Sequence, residues 1–461
     1  MPEFISSQEI DDKSGLLSEL SRRIWEHPET AFQEVKASQW TAELLEQQGF
    51  LVERNYAGLS TALRATWGHG EPFIGLLGEY DALPGMSQKV AVTEEPLAAG
   101  SAGQACGHNL LGVAHVAAAL GLKKEMEEKG LPGTVVFYGC PGEELVTGKG
   151  FMARGGAFRE LSMSMAFHPG THNAAFRGRS MALNSARFHF KGRTAHAGND
   201  PYNGRSALDG VEVMNIGTNY LREHVTPDVR LHYVITDGGE APNIVPDKAS
   251  VWYYVRALDR HTVDETYARL KDVAKGAALI NGVTVVEEFL GGCYNTMNNH
   301  VLVDLIHESM HEVDLPVYTA EELAFAAALN EASPKYQSLL AKGSVEPGVE
   351  MHAGISPISD SDGYSSTDVG DVQHIAPGVM FTAATQNLGA PGHSWQLTAC
   401  AGSSLGEKGM LYAGKVMARA GIKALEDPAT LKKARAEFDK AMAGRPYECP
   451  IPEDLPLPGQ P

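Results

Sequence analysis

Hydrophobic and polar positions in the first 180 residues alternate between helical and strand-like spacing. Helical spacing predicts helices at 10–24, 31–48 and 107–129, whereas short apolar runs predict buried strands at 73–77, 134–138 and 162–167. The alanine-rich helix falls between the first two of these strands. Strands that alternate with helices in this way are typical of an α/β fold with a mostly parallel sheet.

The pattern changes near residue 181, where alternating apolar residues replace continuous apolar runs. This region predicts strands at 182–190, 231–235 and 251–255 and helices at 205–223 and 263–280. We therefore expect an inserted α+β domain at 182–294. Helices at 300–313 and 404–424 and a strand at 379–383 then resume the first pattern. The α/β domain is thus expected over 1–181 and 295–461, with its longest loop at 343–371.

Composition and charge exclude several classes of protein. The 461 residues include 57 acidic and 38 basic side chains, and the net charge of −19 argues against binding to nucleic acid or to anionic membranes. The longest weakly polar stretch, 110–122, is shorter than the roughly 20 residues of a membrane span. Acids near the N-terminus and five scattered cysteines favour a cytoplasmic protein with reduced thiols.

Potential ligands follow each of the three predicted strands. Glu79 and Asp81 follow the first, Glu143 and Glu144 follow the second, and His168 follows the third. The carboxyl ends of parallel strands form the ligand crevice of an α/β sheet, so these side chains are expected to lie together.

Sulfur and nitrogen ligands extend this set. Cys106 and His108 lie two residues apart at the start of the alanine-rich helix, and His393 occurs late in the chain. A single cysteine or histidine is more often a packing or surface residue than a ligand, but here several coincide with strand ends. The mixed set suits Zn²⁺ or Mn²⁺, and its members are Cys106, His108, Glu144, His168 and His393.

Six motifs together resemble those of a known enzyme family. They are Gly-Glu-Tyr-Asp-Ala-Leu (78–83), Cys-Gly-His-Asn-Leu-Leu-Gly (106–112), Gly-Cys-Pro-Gly-Glu-Glu (139–144), Gly-Arg-Thr-Ala-His-Ala (192–197), Ser-Thr-Asp-Val-Gly-Asp (366–371) and His-Ser-Trp-Gln (393–396). The set resembles the M20 metallopeptidases and, within them, the aminoacylase-like amidohydrolases. The resemblance covers almost the whole chain.

The resemblance implies a site with two divalent metal ions per chain, Mn²⁺ or Zn²⁺. It assigns Glu143 as the catalytic base and, as metal ligands, Cys106, His108, Glu144, His168 and His393. The wider family has a His-x-Asp motif where this chain has Glu79-Tyr-Asp81. Glu79 and Asp81 are therefore expected to support the ligands rather than to bind the ions. Asn109 replaces an aspartate that many relatives have after the histidine.

The resemblance also implies roles in the inserted domain, which serves family members as a lid and dimerisation domain. His196 matches a lid histidine that reaches the scissile carbonyl, often from the neighbouring subunit. Asn243 and Arg256 match residues that hold the substrate carboxylate. Six basic residues and one acid between 177 and 205 favour an acidic substrate, although a solvated basic face explains them as well.

The resemblance implies metal-dependent hydrolysis of the amide bond of an N-acyl amino acid, with p-aminobenzoyl-glutamate as the first choice of substrate. Another N-acyl amino acid, such as an indole-acetyl conjugate, or a dipeptide is the alternative. The expected assembly is a homodimer, with a heterodimer of related subunits as the second possibility. A partner subunit without activity is the alternative outside the enzymes, and the presence of both ligand and base positions argues against it.

Overall fold

The computed structural model describes residues 4–458 of the chain. Its strands are β1 (Leu51–Arg54), β2 (Leu63–His69), β3 (Phe73–Glu79), β4 (Gly133–Cys140), β5 (Met163–Gly170), β6 (Ala174–Ala175), β7 (Ala182–Lys191), β8 (Arg230–Asp237), β9 (Lys248–Ala257), β10 (Thr284–Cys293) and β11 (Gly378–Ala384). Its helices are α1 (Ile5–Asp12), α2 (Ser14–Glu26), α3 (Val35–Gln47), α4 (His108–Lys129), α5 (Gly148–Arg154), α6 (Ala207–Leu221), α7 (Arg260–Asn281), α8 (His300–Glu312), α9 (Ala320–Glu331), α10 (Pro334–Ala341), α11 (Val369–Gln373), α12 (Trp395–Ala401), α13 (Ser404–Glu426) and α14 (Pro428–Met442).

The chain forms two compact units. The second unit consists of Arg179–Thr296 and Asp362–Gly370, and the first unit contains the rest of the described chain. The predicted insertion, 182–294, lies inside the second unit. The short return segment was not predicted, because it lies in a loop without periodicity. It is held by contacts distant in sequence, including an ion pair between Arg179 and Asp362 at 2.9 Å.

The first unit contains a seven-stranded sheet with the order β1-β2-β4-β3-β5-β11-β6. The four central strands, β4, β3, β5 and β11, are parallel, which confirms the predicted mostly parallel sheet. β1, β2 and β6 add antiparallel pairs at the two edges. The carboxyl ends of β3 and β4 are level, since Glu79 is paired with Cys140 in the register.

α4 is the central helix of the first unit, and its residues from His108 to Leu122 are all buried. It packs closely on β3 because Gly112 has no side chain; a Cβ atom there would lie 2.3 Å from the Glu79 carbonyl oxygen. This close approach brings the first turn of α4 to the end of β3. In residues 4–458, no helix combines the length and apolar character that a bilayer span requires.

The second unit contains a four-stranded antiparallel sheet with the order β10-β7-β9-β8. Apolar residues of α6 and α7 pack on the sheet and form a core separate from that of the first unit. Burial alternates along β9, as expected for a strand with one face on the core. β8 forms one edge of this sheet.

Several elements differ from the sequence predictions. α3 begins at Val35 rather than near residue 31, because the preceding residues form a turn in which Phe32 has a φ of +63°. α9, α10 and β10 were not predicted. A capping box formed by Thr319 and Glu322 marks the start of α9, and this signal is visible in the sequence.

Candidate metal centre

The centre begins with Cys106 and His108, which flank the start of α4. Between them Gly107 has a φ of +75°, a left-handed conformation that favours glycine. Cys106 Sγ lies 3.4 Å from His168 Nε2, near the end of β5. The Nδ1–H of His168 donates to the carbonyl oxygen of Pro169 at 2.8 Å, which leaves its Nε2 lone pair facing the thiol.

His108 lies at the centre of the cluster and is fully buried. Its Nδ1–H donates to Asp81 Oδ1 at 2.9 Å, so its Nε2 faces the other carboxylates. Glu79 Oε2 lies 3.4 Å from that nitrogen, Glu143 Oε2 lies 3.8 Å away, and Glu144 Oε1 lies 4.0 Å away. Burial alone would lower the pKa of His108. The nearby Cys106 sulfur and Asp81 carboxylate outweigh this effect, so the pKa is well above the ordinary value. The environment therefore favours positive charge.

Glu143 and Glu144 begin a short turn after β4. Glu34 Oε1 accepts a hydrogen bond from Gly142 N at 2.9 Å, and Asp81 Oδ2 accepts one from Glu144 N at 2.9 Å. Each end of the turn is thus held by a buried carboxylate. Burial raises the pKa of Glu144 to about 7.

His393 completes the predicted ligand set. Its backbone is left-handed, with a φ of +50°, and its side chain is 58% exposed. Its Nε2 lies 3.8 Å from Glu144 Oε2, and partial desolvation of the ring, together with the nearby His108, lowers its pKa. The structure thus places all five predicted ligands and the predicted base Glu143 in one cluster of the first unit.

The residues of this cluster fit a cation. Their donor atoms form three groups in which all atoms lie within 4.8 Å of one another: Cys106, His108 and His168; Cys106, Glu144 and His393; and Glu79, His108 and Glu143. Within residues 4–458, three buried atoms of the cluster have no hydrogen-bond partner: Glu79 Oε2, His108 Nε2 and Glu144 Oε1. An unpaired buried polar atom costs about 1–3 kcal/mol, so this arrangement is explained better by bound cations than by packing.

We expect Cys106→Ser to weaken metal binding at least about tenfold, because a hydroxyl is a much poorer ligand than a thiolate. The measurement is the affinity for Zn²⁺ by competition with a chelator, together with the number of ions per chain. Cys400→Ser is the matched control: burial raises the pKa of both thiols to about 12, but Cys400 contacts Asn387 rather than the cluster. Unchanged affinity and stoichiometry in Cys106→Ser would remove this residue from the ligand set.

The predicted lid residues His196 and Asn243 are neighbours in the second unit. Both are exposed, and Ala197 N donates to the Asn243 carbonyl oxygen at 3.0 Å. His196 Nδ1 accepts hydrogen bonds from Gly198 N at 3.2 Å and Asn199 N at 3.0 Å. The proton of the neutral imidazole is therefore on Nε2, which makes His196 a hydrogen-bond donor.

Arg256 lies on β9, at the end of the strand opposite to Asn243. Its guanidinium lies over the Tyr254 ring at 5.3 Å, and in the described chain its Nε has no hydrogen-bond partner. Burial lowers the pKa of Arg256. The basic residues between 177 and 205 support an acidic substrate less strongly than the sequence suggested, because three of them form ion pairs. These pairs are Arg177 with Asp304, Arg179 with Asp362 and Arg187 with Glu288.

Lys149 is a residue of the cluster that sequence reasoning missed. It lies on α5, is fully buried, and forms an ion pair with Glu79 Oε1. Lysine is almost never fully buried without a partner. The flanking glycines have no apolar pattern from which the burial of Lys149 could be predicted.

The chain is similar to several known proteins. A family model described as the M20 peptidase dimerisation domain matches residues 181–280. One of the p-aminobenzoyl-glutamate hydrolase subunits of Escherichia coli is 37% identical over 95% of both chains. Xaa-Arg dipeptidase of Mus musculus is 29% identical over 94% of this chain and 91% of its own. A dinuclear metal-binding peptidase of the M20 family from Bacillus subtilis has the same fold, with a TM-score of 0.59 at 17% identity over 90% of this chain and 99% of its own.

Proposed function

Because the chain belongs to the M20 family of metal-dependent peptidases and amidohydrolases, we propose that it hydrolyses p-aminobenzoyl-glutamate to p-aminobenzoate and glutamate. The observation that carries this proposal is the cluster of five candidate ligand side chains with Glu143 beside it. The chain that holds this cluster is 37% identical, over nearly its whole length, to a subunit of p-aminobenzoyl-glutamate hydrolase. The proposed ligands are Cys106, His108, Glu144, His168 and His393.

We propose that these residues hold two divalent ions, Zn²⁺ or Mn²⁺. When bound, the ions supply Lewis acidity that polarises the scissile carbonyl and lowers the pKa of a water molecule. Glu143 removes a proton from that water and later gives it to the leaving amine. His196 donates a hydrogen bond from Nε2 to the carbonyl oxygen as negative charge develops there. Asp81 fixes the tautomer of His108 so that Nε2 is the ligand atom.

The second unit suggests how the chain assembles. β8 is an edge strand with three consecutive exposed apolar residues, Tyr233 (40%), Val234 (55%) and Ile235 (41%). An unpaired apolar edge is a ready template for pairing with another chain. We propose that two copies pair through this unit, which matches a dimerisation domain.

The length of β9 supports sites shared between two copies. From Lys248 to Arg256 the strand spans about 26 Å, and Asn243 lies beyond its first residue. Arg256 is paired with Leu183, at the end of the sheet where the chain enters and leaves the unit. One chain therefore does not bring Asn243 and Arg256 to the same small carboxylate. We infer that His196 and Asn243 act at one site and Arg256 at another, so that a complete site needs two copies of the chain.

The test is a mass-spectrometric assay of the purified chain, loaded with Mn²⁺ or Zn²⁺, against a panel of N-acyl amino acids and dipeptides. We expect p-aminobenzoyl-glutamate to have the highest kcat/KM. A higher kcat/KM for an indole-acetyl amino acid, or for a dipeptide ending in arginine, would make that compound the proposed substrate instead of p-aminobenzoyl-glutamate. Activity that arises only after addition of a related subunit would show that the chain is one half of a heterodimer.

We expect Arg256→Met to raise KM for p-aminobenzoyl-glutamate at least about tenfold, because hydrogen bonds to charged groups contribute about 1.5–3 kcal/mol. The substrate itself offers the control. A substrate whose α-carboxylate is replaced by a carboxamide should be cleaved equally by both proteins. A similar loss with both substrates would assign Arg256 to the packing of β9.

A further inference from the structure

The pair Glu79 and Lys149 occupies the base of the metal centre, and neither side chain is accounted for by the proposed reaction. Glu79 is the last residue of β3, and Lys149 lies in the first turn of α5. Both are buried, and their ion pair uses only one carboxylate oxygen, Oε1. The other oxygen, Oε2, points to the cluster.

The surroundings of Glu79 Oε2 are those of a ligand atom. It is buried, lacks a hydrogen-bond partner among the residues that the structure describes, and lies 3.4 Å from His108 Nε2, which lacks one too. The contact of Nδ1 with Asp81 leaves Nε2 as the ring nitrogen that faces Glu79 Oε2. A cation bound at this point would take both atoms as ligands and so satisfy both of them.

The separation of these two atoms also fits a shared ion. Nitrogen and oxygen ligands lie about 2.0–2.2 Å from Zn²⁺, and two such atoms at a tetrahedral angle are therefore about 3.4 Å apart. Glu79 Oε2 and His108 Nε2 have this spacing. Glu143 Oε2 and Glu144 Oε1 lie farther from the same nitrogen, at 3.8 and 4.0 Å.

We propose that Glu79 is a sixth protein ligand of the metal centre and that Lys149 is the positioning residue that holds it. The proposal rests on the metal-dependent function given above. Lys149 binds Oε1, so that Glu79 presents only Oε2 to the ion. Its positive charge also offsets one of several carboxylates crowded around His108. Glu79 thus has a different role from Asp81, which supports His108 through Nδ1 and does not face the ion.

The experiment measures metal binding rather than turnover. Four variants are compared with the wild type: Glu79→Gln, Lys149→Met, the double variant, and the control Glu125→Gln. Glu125 is a buried carboxylate near the other end of α4, paired with Lys129. The readouts are the number of ions retained per chain, the affinity for Zn²⁺ by chelator competition, and the melting temperature of the metal-free protein.

We expect the wild type and Glu125→Gln to retain two ions. Glu79→Gln should bind one ion at least about 100-fold more weakly, and Lys149→Met should lose about 10- to 100-fold in affinity, as for other partners of metal ligands. Each single variant breaks a buried ion pair and is expected to lower the melting temperature. The double variant removes both charges of the pair, so it should regain part of the lost stability while its second ion stays weakly bound.

A purely structural ion pair gives the opposite result. In that case the double variant recovers wild-type metal affinity together with stability, and this outcome would overturn the proposal. Glu79→Asp gives an independent check: it keeps a negative charge to balance Lys149 but draws the carboxylate back by one methylene, so it should fold and still bind one ion weakly. A wild type that binds no metal would refute the proposed function instead, which separates the two failures.

Discussion

Glu143→Gln is expected to keep both metal ions and to lose about 10²- to 10⁴-fold in kcat, the usual contribution of a general acid or base. Glutamine has nearly the shape of glutamate but does not accept the proton of the attacking water. Glu143 is buried beside His108, at 3.8 Å from Nε2, and therefore lies within reach of the reacting atoms. The measurements are steady-state kinetics and metal content of the same preparation.

Glu144→Gln is the matched variant for this prediction. The two carboxylates are adjacent in sequence and both lie near His108, but Glu144 also lies 3.8 Å from His393 and belongs to the proposed ligand set. We expect Glu144→Gln to lose metal, with its activity partly restored by excess Mn²⁺. Equal metal loss in both variants would assign Glu143 as a ligand and leave the base to be found elsewhere.

His196→Ala is expected to lower kcat about 10²- to 10³-fold, since removal of one donor to a developing oxyanion costs roughly 3 kcal/mol in comparable sites. The structure supports this role because backbone amides of Gly198 and Asn199 hold Nδ1 as an acceptor and leave the proton on Nε2. His196→Gln, which keeps a side-chain donor, should recover part of the lost rate.

Subunit mixing tests whether His196 acts on the partner's site. Inactive His196→Ala chains and inactive Glu143→Gln chains are mixed under conditions that allow exchange. Random assortment makes half of the dimers mixed, and each mixed dimer has one site with both residues intact, so about a quarter of wild-type activity should return. A mixture that exchanges subunits and stays inactive would show that His196 acts within its own chain.

The sequence by itself determined the central elements of the fold and most of the side chains that form the cluster. Apolar runs predicted β3, β4 and β5, and the alanine-rich segment predicted α4; all four are observed. Because parallel strands end at one edge of a sheet, their following residues were expected to meet. The structure groups Glu79 and Glu143 with His108, and it groups Glu144 and His168 each with Cys106. These predictions depend on local periodicity and on one general rule of sheet topology.

The tertiary structure alone decided which side chains touch within the cluster. Lys149 and Glu79 are 70 residues apart, and nothing local to either residue shows that they form a buried ion pair. The contact between Asp81 and His108 is equally invisible in the sequence, and it decides that Nε2 is the nitrogen that faces the cluster. Periodicity reports whether a residue faces the core, but its partner there depends on how distant elements pack. The predicted ligand list was therefore readable from sequence, whereas the candidate sixth ligand and its positioning lysine required the folded chain.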